Sequence, residues 1–161
     1  MAIAIGTDGY CIEDDVQALF GQRTFSTSSV PTLVQLAAFI TEGFHTIDGV
    51  LDAVGYVTPV VVGTYTRARE ILRELNANYA GSKAHMAAFS AGVGGTPEQA
   101  VFMMDQFNAR IKDLQKGLMA LPGAPTTDLV RLANDAEPAG EFNVDDEGDE
   151  IDPVFTRSMD L

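Results

Sequence analysis

Apolar and polar positions between residues 31 and 55, PTLVQLAAFITEGFHTIDGVLDAVG, repeat with the period of an α-helix. Leu33, Leu36 with Ala37, Ile40, Phe44, Ile47, Leu51 and Val54 follow one another in steps of three and four. At about 100° per residue these side chains stay within roughly 60° of one line and form a single stripe. Gln35, Glu42, His45 and Asp52 lie well off it. Ser28, Ser29 and Pro31 signal a start and Gly55 a stop. The spacing predicts a helix with one committed buried face, around which the rest of the chain is organised.

The same reading extends in both directions. Residues 1–10, MAIAIGTDGY, alternate weakly and predict a short extended lead-in. Ile12, Val16, Leu19 and Phe20 fit a short helix with Glu13, Asp14 and Asp15 in its first turn, where acids suit the dipole, and Gly21 ends it. RTFSTSS is a polar connector, and YVTPVVV (56–62) is β-branched but broken by Pro59, which predicts an extended link or edge strand. A second helix is expected from Thr66 to Tyr79, with Ala68, Ile71, Leu72, Leu75 and Tyr79 on one face. Gly81 interrupts that pattern, so Lys83–Ala91 is expected as a separate short helix before the flexible Gly92, Gly94 and Gly95. The next helix opens with Thr96 as cap, Pro97 at the first position and Gln99 as the partner of a capping box. Its stripe runs through Ala100, Met103, Met104, Phe107, Ile111, Leu114, Leu118 and Leu121, and Pro122, Gly123 and Pro125 stop it. Thr126–Asn134 holds enough apolar residues for one more helical segment. The predicted fold is mainly α: a small helical bundle over 1–134, followed by an extended acidic C-terminal arm over 135–161.

At 161 residues the chain is long enough to bury a real core in one domain, and its 46% apolar and 20% charged content is that of an ordinary globular protein. Apolar runs are only a few residues long, so no membrane span is expected, and MAIAI has neither the basic start nor the long apolar run of a signal peptide. The single cysteine, Cys11, excludes an intramolecular disulfide and fits a reducing compartment. Charge changes the picture more. Residues 135–161 hold ten acids and one base, a local −9 of the total −13, while the other 134 residues hold thirteen acids and nine bases. A chain so acidic is poorly suited to tight nucleic-acid binding, which needs lysine and arginine on phosphates.

Candidate chemistry is sparse. There is no Walker loop, no GxGxxG after a strand, no HExxH and no GxSxG. The two histidines, His45 and His85, stand apart in the sequence and read as surface or boundary residues, and Cys11 reads as a small buried residue. The run Asp145–Glu150 places glycine fourth and Thr156 twelfth, which fails the spacing of a calcium loop. GVGG (92–95) precedes a helix but lacks a lysine, so a hinge is expected there in preference to an anion cradle. Arg67, Arg69 and Arg73 wind around their helix and predict salt-bridged surface; Met86, Met103, Met104 and Met119 predict core filler. No catalytic residue, cofactor or metal is expected, and the chain does not read as an enzyme.

Beyond the acidic run the chain regains apolar character in IDPVFTRSMDL. Apolar residues after a charged spacer suit a docking peptide, so Ile151, Pro153, Val154, Phe155 and Met159 are the candidate partner-contact residues. The alternative is that this segment folds back on its own domain.

The arrangement resembles the head–tail connector proteins (adaptor, or head-completion, proteins) of tailed bacteriophages. The similarity begins with YCIEDDVQALFG and continues through VPTLVQLAAFITEGFHTIDGVLDAVGYVTPV, where Ile47–Asp48, Leu51, Gly55–Tyr56 and Pro59 match the family pattern. ILRELNANYAGSKA and KGLMAL are similar to its later helices, so the resemblance covers roughly residues 10–121, and the acidic extension departs from it. It implies a small helical domain in a homo-oligomeric ring, commonly a dodecamer, at the head–tail interface of the virion. The implied partners are the portal protein and a tail-side stopper or tail-terminator protein, with DNA passing through the lumen and no membrane involved. An acidic surface suits such a channel, since like charge keeps the genome from sticking. Two other classes fit the residues: another phage structural or tail-completion protein, and a regulatory binding module whose acidic tail captures a basic partner.

Overall fold

A computed structural model describes residues 8–21, 24–60, 66–94 and 96–127. They form a mainly helical bundle of four helices: α1 (Glu13–Ala18), α2 (Leu33–Val54), α3 (Thr66–Ser90) and α4 (Pro97–Gln115). The C-terminal arm, residues 1–7 of the lead-in expected over 1–10 and residues 128–134 of the helical segment expected over Thr126–Asn134 lie outside the described residues; Thr126 and Thr127 are described and are not helical.

The stripe that opened the sequence reading is the buried face of α2. Leu36, Ile40, Ile47 and Leu51 are fully buried and Phe44 nearly so, while Gln35, Glu42, His45 and Asp52 are exposed. Leu33, at the helix start, projects beyond the bundle and is exposed. The cap is Thr32, one residue inside the expected signals. Its hydroxyl accepts from Gln35 N–H at 3.3 Å, and the Gln35 amide oxygen accepts from Thr32 N–H at 2.9 Å, a capping box. The box expected at Thr96 and Gln99 does not form: Pro97 takes the first helical position, but the Thr96 side chain makes no cap bond.

Three helices end in the same way. At Gly55, Gly92 and Gly117 the backbone turns left-handed (φ +93°, +67° and +69°), a conformation that costs glycine least. In each case the glycine N–H and the next N–H donate back to the last turn: to Asp52 and Leu51, to Phe89 and Ala88, and to Leu114 and Asp113. This is the Schellman arrangement, which satisfies carbonyls that the helix leaves open. It moves the end of α4 to Gln115, six residues before the expected stop at Leu121. Leu118, read as part of the α4 stripe, is therefore off the helix and 75% exposed, whereas Leu121 returns to the core.

A second correction concerns α3, which runs unbroken through Gly81 for 25 residues. That glycine sits at a close approach. A Cβ there would lie 2.9 Å from Leu19 Cδ1 and 3.1 Å from Met103 Sδ, so the missing side chain lets α1 and α4 pack on α3. The surrounding alanines favour helix and hold it. Instead of a strand, residues 56–60 make one isolated bridge, Tyr56 to Thr126; Val61 and Val62 lie outside the described residues.

The core has two parts. One gathers Phe44, Ile47 and Leu51 of α2, Ala68, Leu72, Leu75 and Tyr79 of α3, and Phe107 and Leu114 of α4. The other lies beneath α1, where Val16, Phe25, Leu36, Ile40, Ala77, Ala80 and Ala84 meet. Ile111, on the expected stripe, is partly buried and packs against the edge of the first part. Met103 is buried, and Met104 and Met119 pack on the core. Met86 does not, being 45% exposed.

Candidate interaction surface

His85 is buried and its ring stacks on Phe20 at 3.8 Å between centroids; His45 stands exposed on α2 beside Phe44. His85 is thus a core residue and not a surface one. Among the described residues no group of three His, Cys, Asp or Glu side chains is placed to hold a metal ion. Cys11 is fully buried, and burial pushes its thiol well above the ordinary range, which keeps it protonated and unreactive. Of the three arginines expected as salt-bridged surface, Arg73 pairs with Asp15; Arg110 of α4 pairs with Glu74 (2.7 Å).

The buried polar groups instead tie the N-terminal segment to the bundle. The fully buried Asn76 accepts from Tyr10 N–H at 2.8 Å and donates to Ile40 C=O at 2.9 Å. Tyr10 O–H donates to Asp48, and its oxygen accepts from Val60 N–H at 3.1 Å. Burial raises the Tyr10 hydroxyl above its ordinary value and also raises the Asp48 carboxyl, although the Tyr10 hydrogen bond works the other way on Asp48. These groups hold the N-terminal segment and the Val60 backbone in place.

What the fold does present is an apolar end. Helices α2 and α3 are antiparallel: Leu36 and Ile40 cluster with Ala77, Ala80 and Ala84, while Ile47 and Leu51 cluster with Ala68 and Leu72. Helix α4 runs antiparallel to α3, with Arg110 at Glu74, Phe107 against Tyr79 and Ser82 Oγ–H donating to Ala100 C=O at 2.7 Å. The start of α2, the end of α3 and the start of α4 therefore share one end of the bundle. There Leu33 and Val34, Met86 and Phe89, and Val101 and Phe102 are exposed, the last to 62%. The same end is poor in charge, with Glu98 in the first turn of α4 and Lys83 at the groove. Residues 24–41 and 84–97 contain no Asp, Glu, Lys or Arg in a chain of net charge −13. Between α3 and α4 the apolar side chains line an open groove of about 240 Å³, formed by Ser82, Lys83, Met86, Ala100, Val101 and Met104.

A surface of this kind can do one thing chemically: release free energy when covered, at about 25 cal/mol per Å² of apolar area. Exposed apolar residues collected in one place mark interaction sites. Sequence reasoning singled out Ile151, Pro153, Val154, Phe155 and Met159 for partner contact, and these lie outside the described residues. It missed the apolar end, although a signal existed: Val34 and Phe102 fall off the buried stripes, Val34 inside an uncharged run and Phe102 five residues beyond the other. Against protein-family models, curated proteins and solved structures the chain shows no match.

Proposed function

We propose that this protein is a structural virion subunit, a head-to-tail adaptor whose copies form a ring below the portal and extend the DNA channel. The observation that carries the reading is the apolar, charge-poor end of the bundle, where Val34, Phe89 and Phe102 are exposed. A protein built this way works by being covered. The helical body and the strongly acidic chain agree with the resemblance drawn from YCIEDDVQALFG and the α2 stretch. In the ring the apolar end lies in subunit–subunit or subunit–portal contact, and the acidic surplus faces DNA that must slide without binding. No reaction is assigned to it.

The test is analytical ultracentrifugation and negative-stain imaging of the purified chain, alone and mixed with isolated portal rings. The expected result is a closed ring, alone or on the portal, commonly of twelve copies. A chain that stays monomeric in both samples, and instead captures a basic cytosolic protein in a pull-down, overturns the adaptor reading in favour of a regulatory module.

A further inference from the structure

We infer that the groove between α3 and α4 is the seat for residues 151–161 of a neighbouring copy, with Val154 and Phe155 as the inserted side chains. The inference rests on the self-associating reading above and goes further, in naming both halves of one contact. Three observations lead to it.

The first is where the described chain stops. Thr127 N–H donates to Gly55 C=O at 2.7 Å and Val57 N–H donates to Pro125 C=O at 2.9 Å, so the described residues end beside the C-terminal end of α2. The groove belongs to the other end. Thirty-four residues, 128–161, follow Thr127, and the first 23 of them precede Ile151. Twenty-three residues reach at most about 75 Å, against about 37 Å for the length of a 25-residue helix such as α3. The groove of a copy packed alongside is well within that reach.

The second is the match in chemistry. Met86, Ala100, Val101 and Met104 give the groove an apolar wall, and two of the four are methionines, whose unbranched thioether side chains adapt to an incoming shape. Lys83 is the cation among the described lining residues; it meets Glu42 in an exposed pair at 3.2 Å that holds it weakly and lies 5.3 Å from the centre of the Tyr79 ring, so its charge remains at the groove's edge. The segment IDPVFTRSMDL brings Val154 and Phe155 for the apolar wall and, two residues before them, the Asp152 carboxylate for Lys83. Pro153 between them biases Asp152 towards an extended backbone, the form in which a short peptide lies along a groove.

The third is symmetry. A contact between two unlike patches, groove on one copy and tail on the next, is heterologous, and such contacts close into rings when the rotation allows. A single shallow groove holds one peptide weakly; repeated around a ring, the contacts reinforce one another without any change in each.

The test uses the full chain. Phe155→para-benzoylphenylalanine is prepared in light and heavy isotopic forms, which are mixed, allowed to assemble and irradiated, and the cross-linked peptides are read by mass spectrometry. The expected products join position 155 to the peptides carrying Met86, Val101 or Met104, with light and heavy halves mixed. Val101→Asp, at a position 56% exposed, is expected to leave the melting temperature within a few degrees while lowering these cross-links about tenfold, because it sets a charge against the apolar insert. Cross-links that land elsewhere, that join only halves of one isotope, or that persist unchanged in Val101→Asp overturn the inference. An assembled chain giving any of these results sinks the groove alone, and the adaptor reading stands. A chain that sediments as a monomer sinks both.

Discussion

At the scale of the residue, the decisive groups are polar ones in apolar surroundings. Asn76 is fully buried and satisfies backbone groups of two segments far apart in sequence, which explains its place in the middle of an otherwise apolar face of α3. Tyr10 does the complementary work, joining Asp48 to the Val60 N–H. Tyr10→Phe leaves both without their partner and is expected to cost about 1–3 kcal/mol in urea unfolding at neutral pH. The same hydroxyl sets an alkaline limit. Its ordinary value is 10.0 and burial raises it in the fold, so its contribution is intact below pH 10 and is lost as pH rises beyond that, where the unfolded chain ionises first. Cys11, raised from 9.0 by burial, adds a loss of the same sign from about pH 9. Stability measured between pH 8 and 11 is expected to fall, and to fall less steeply in Tyr10→Phe; an equal slope in the variant would exclude Tyr10 as a contributor. Phe44, packed against Tyr10 at 4.9 Å, is a plain core residue, and Phe44→Ala is expected to destabilise by about 3–5 kcal/mol in the same assay.

At the scale of the element, glycines decide where helices end and where they touch, and these two roles are easily confused. Gly55, Gly92 and Gly117 end helices because each occupies a left-handed position followed by a second back-donating N–H. Gly43 and Gly81 sit inside helices without breaking them. A Cβ at Gly43 would lie 2.6 Å from Asn76 Nδ2 and 2.8 Å from Tyr79 Cδ1, nearer than real contacts come. Gly43→Ala improves intrinsic helix propensity by up to about 1 kcal/mol, yet is expected to lower the melting temperature, because α2 and α3 must part or Asn76 must give up its hydrogen bonds. A thermal melt that rises in Gly43→Ala would show that α2 and α3 do not approach so closely.

At the scale of the whole molecule, charge and apolar surface are segregated. The end of the bundle made by the start of α2, the end of α3 and the start of α4 has no formal charge over residues 24–41 and 84–97, while the chain as a whole carries −13. Copies that repel one another at long range therefore have one place to meet without placing like charges together. Val34 and Phe102 are 70% and 62% exposed there, so the double variant Val34→Asp/Phe102→Asp is expected to fold with its melting temperature changed by only a few degrees. Its self-association is expected to be lost by sedimentation. An assembly that survives both new charges would place the subunit contacts elsewhere.

The chain's own periodicity determined the helical class: the short α1, the buried stripe of α2, Pro97 at the head of α4 and the stop at Gly55 are local properties, set by side-chain spacing and backbone preference within a turn or two. Even so, local signals could not separate a glycine that ends a helix from one that admits a neighbour. Gly81 looked like a break and is a contact, because the difference lies in Leu19 and Met103, distant in sequence. Nor could they place His85 in the core, since its partner Phe20 comes from another segment. The candidate surface was legible only in part. The uncharged runs and the off-stripe Val34 and Phe102 are written in the sequence, but only the antiparallel register of α2, α3 and α4 brings them to one end. Which residues share a face beyond one helix is decided by tertiary packing, because exposure belongs to the assembled bundle and not to any stretch of chain.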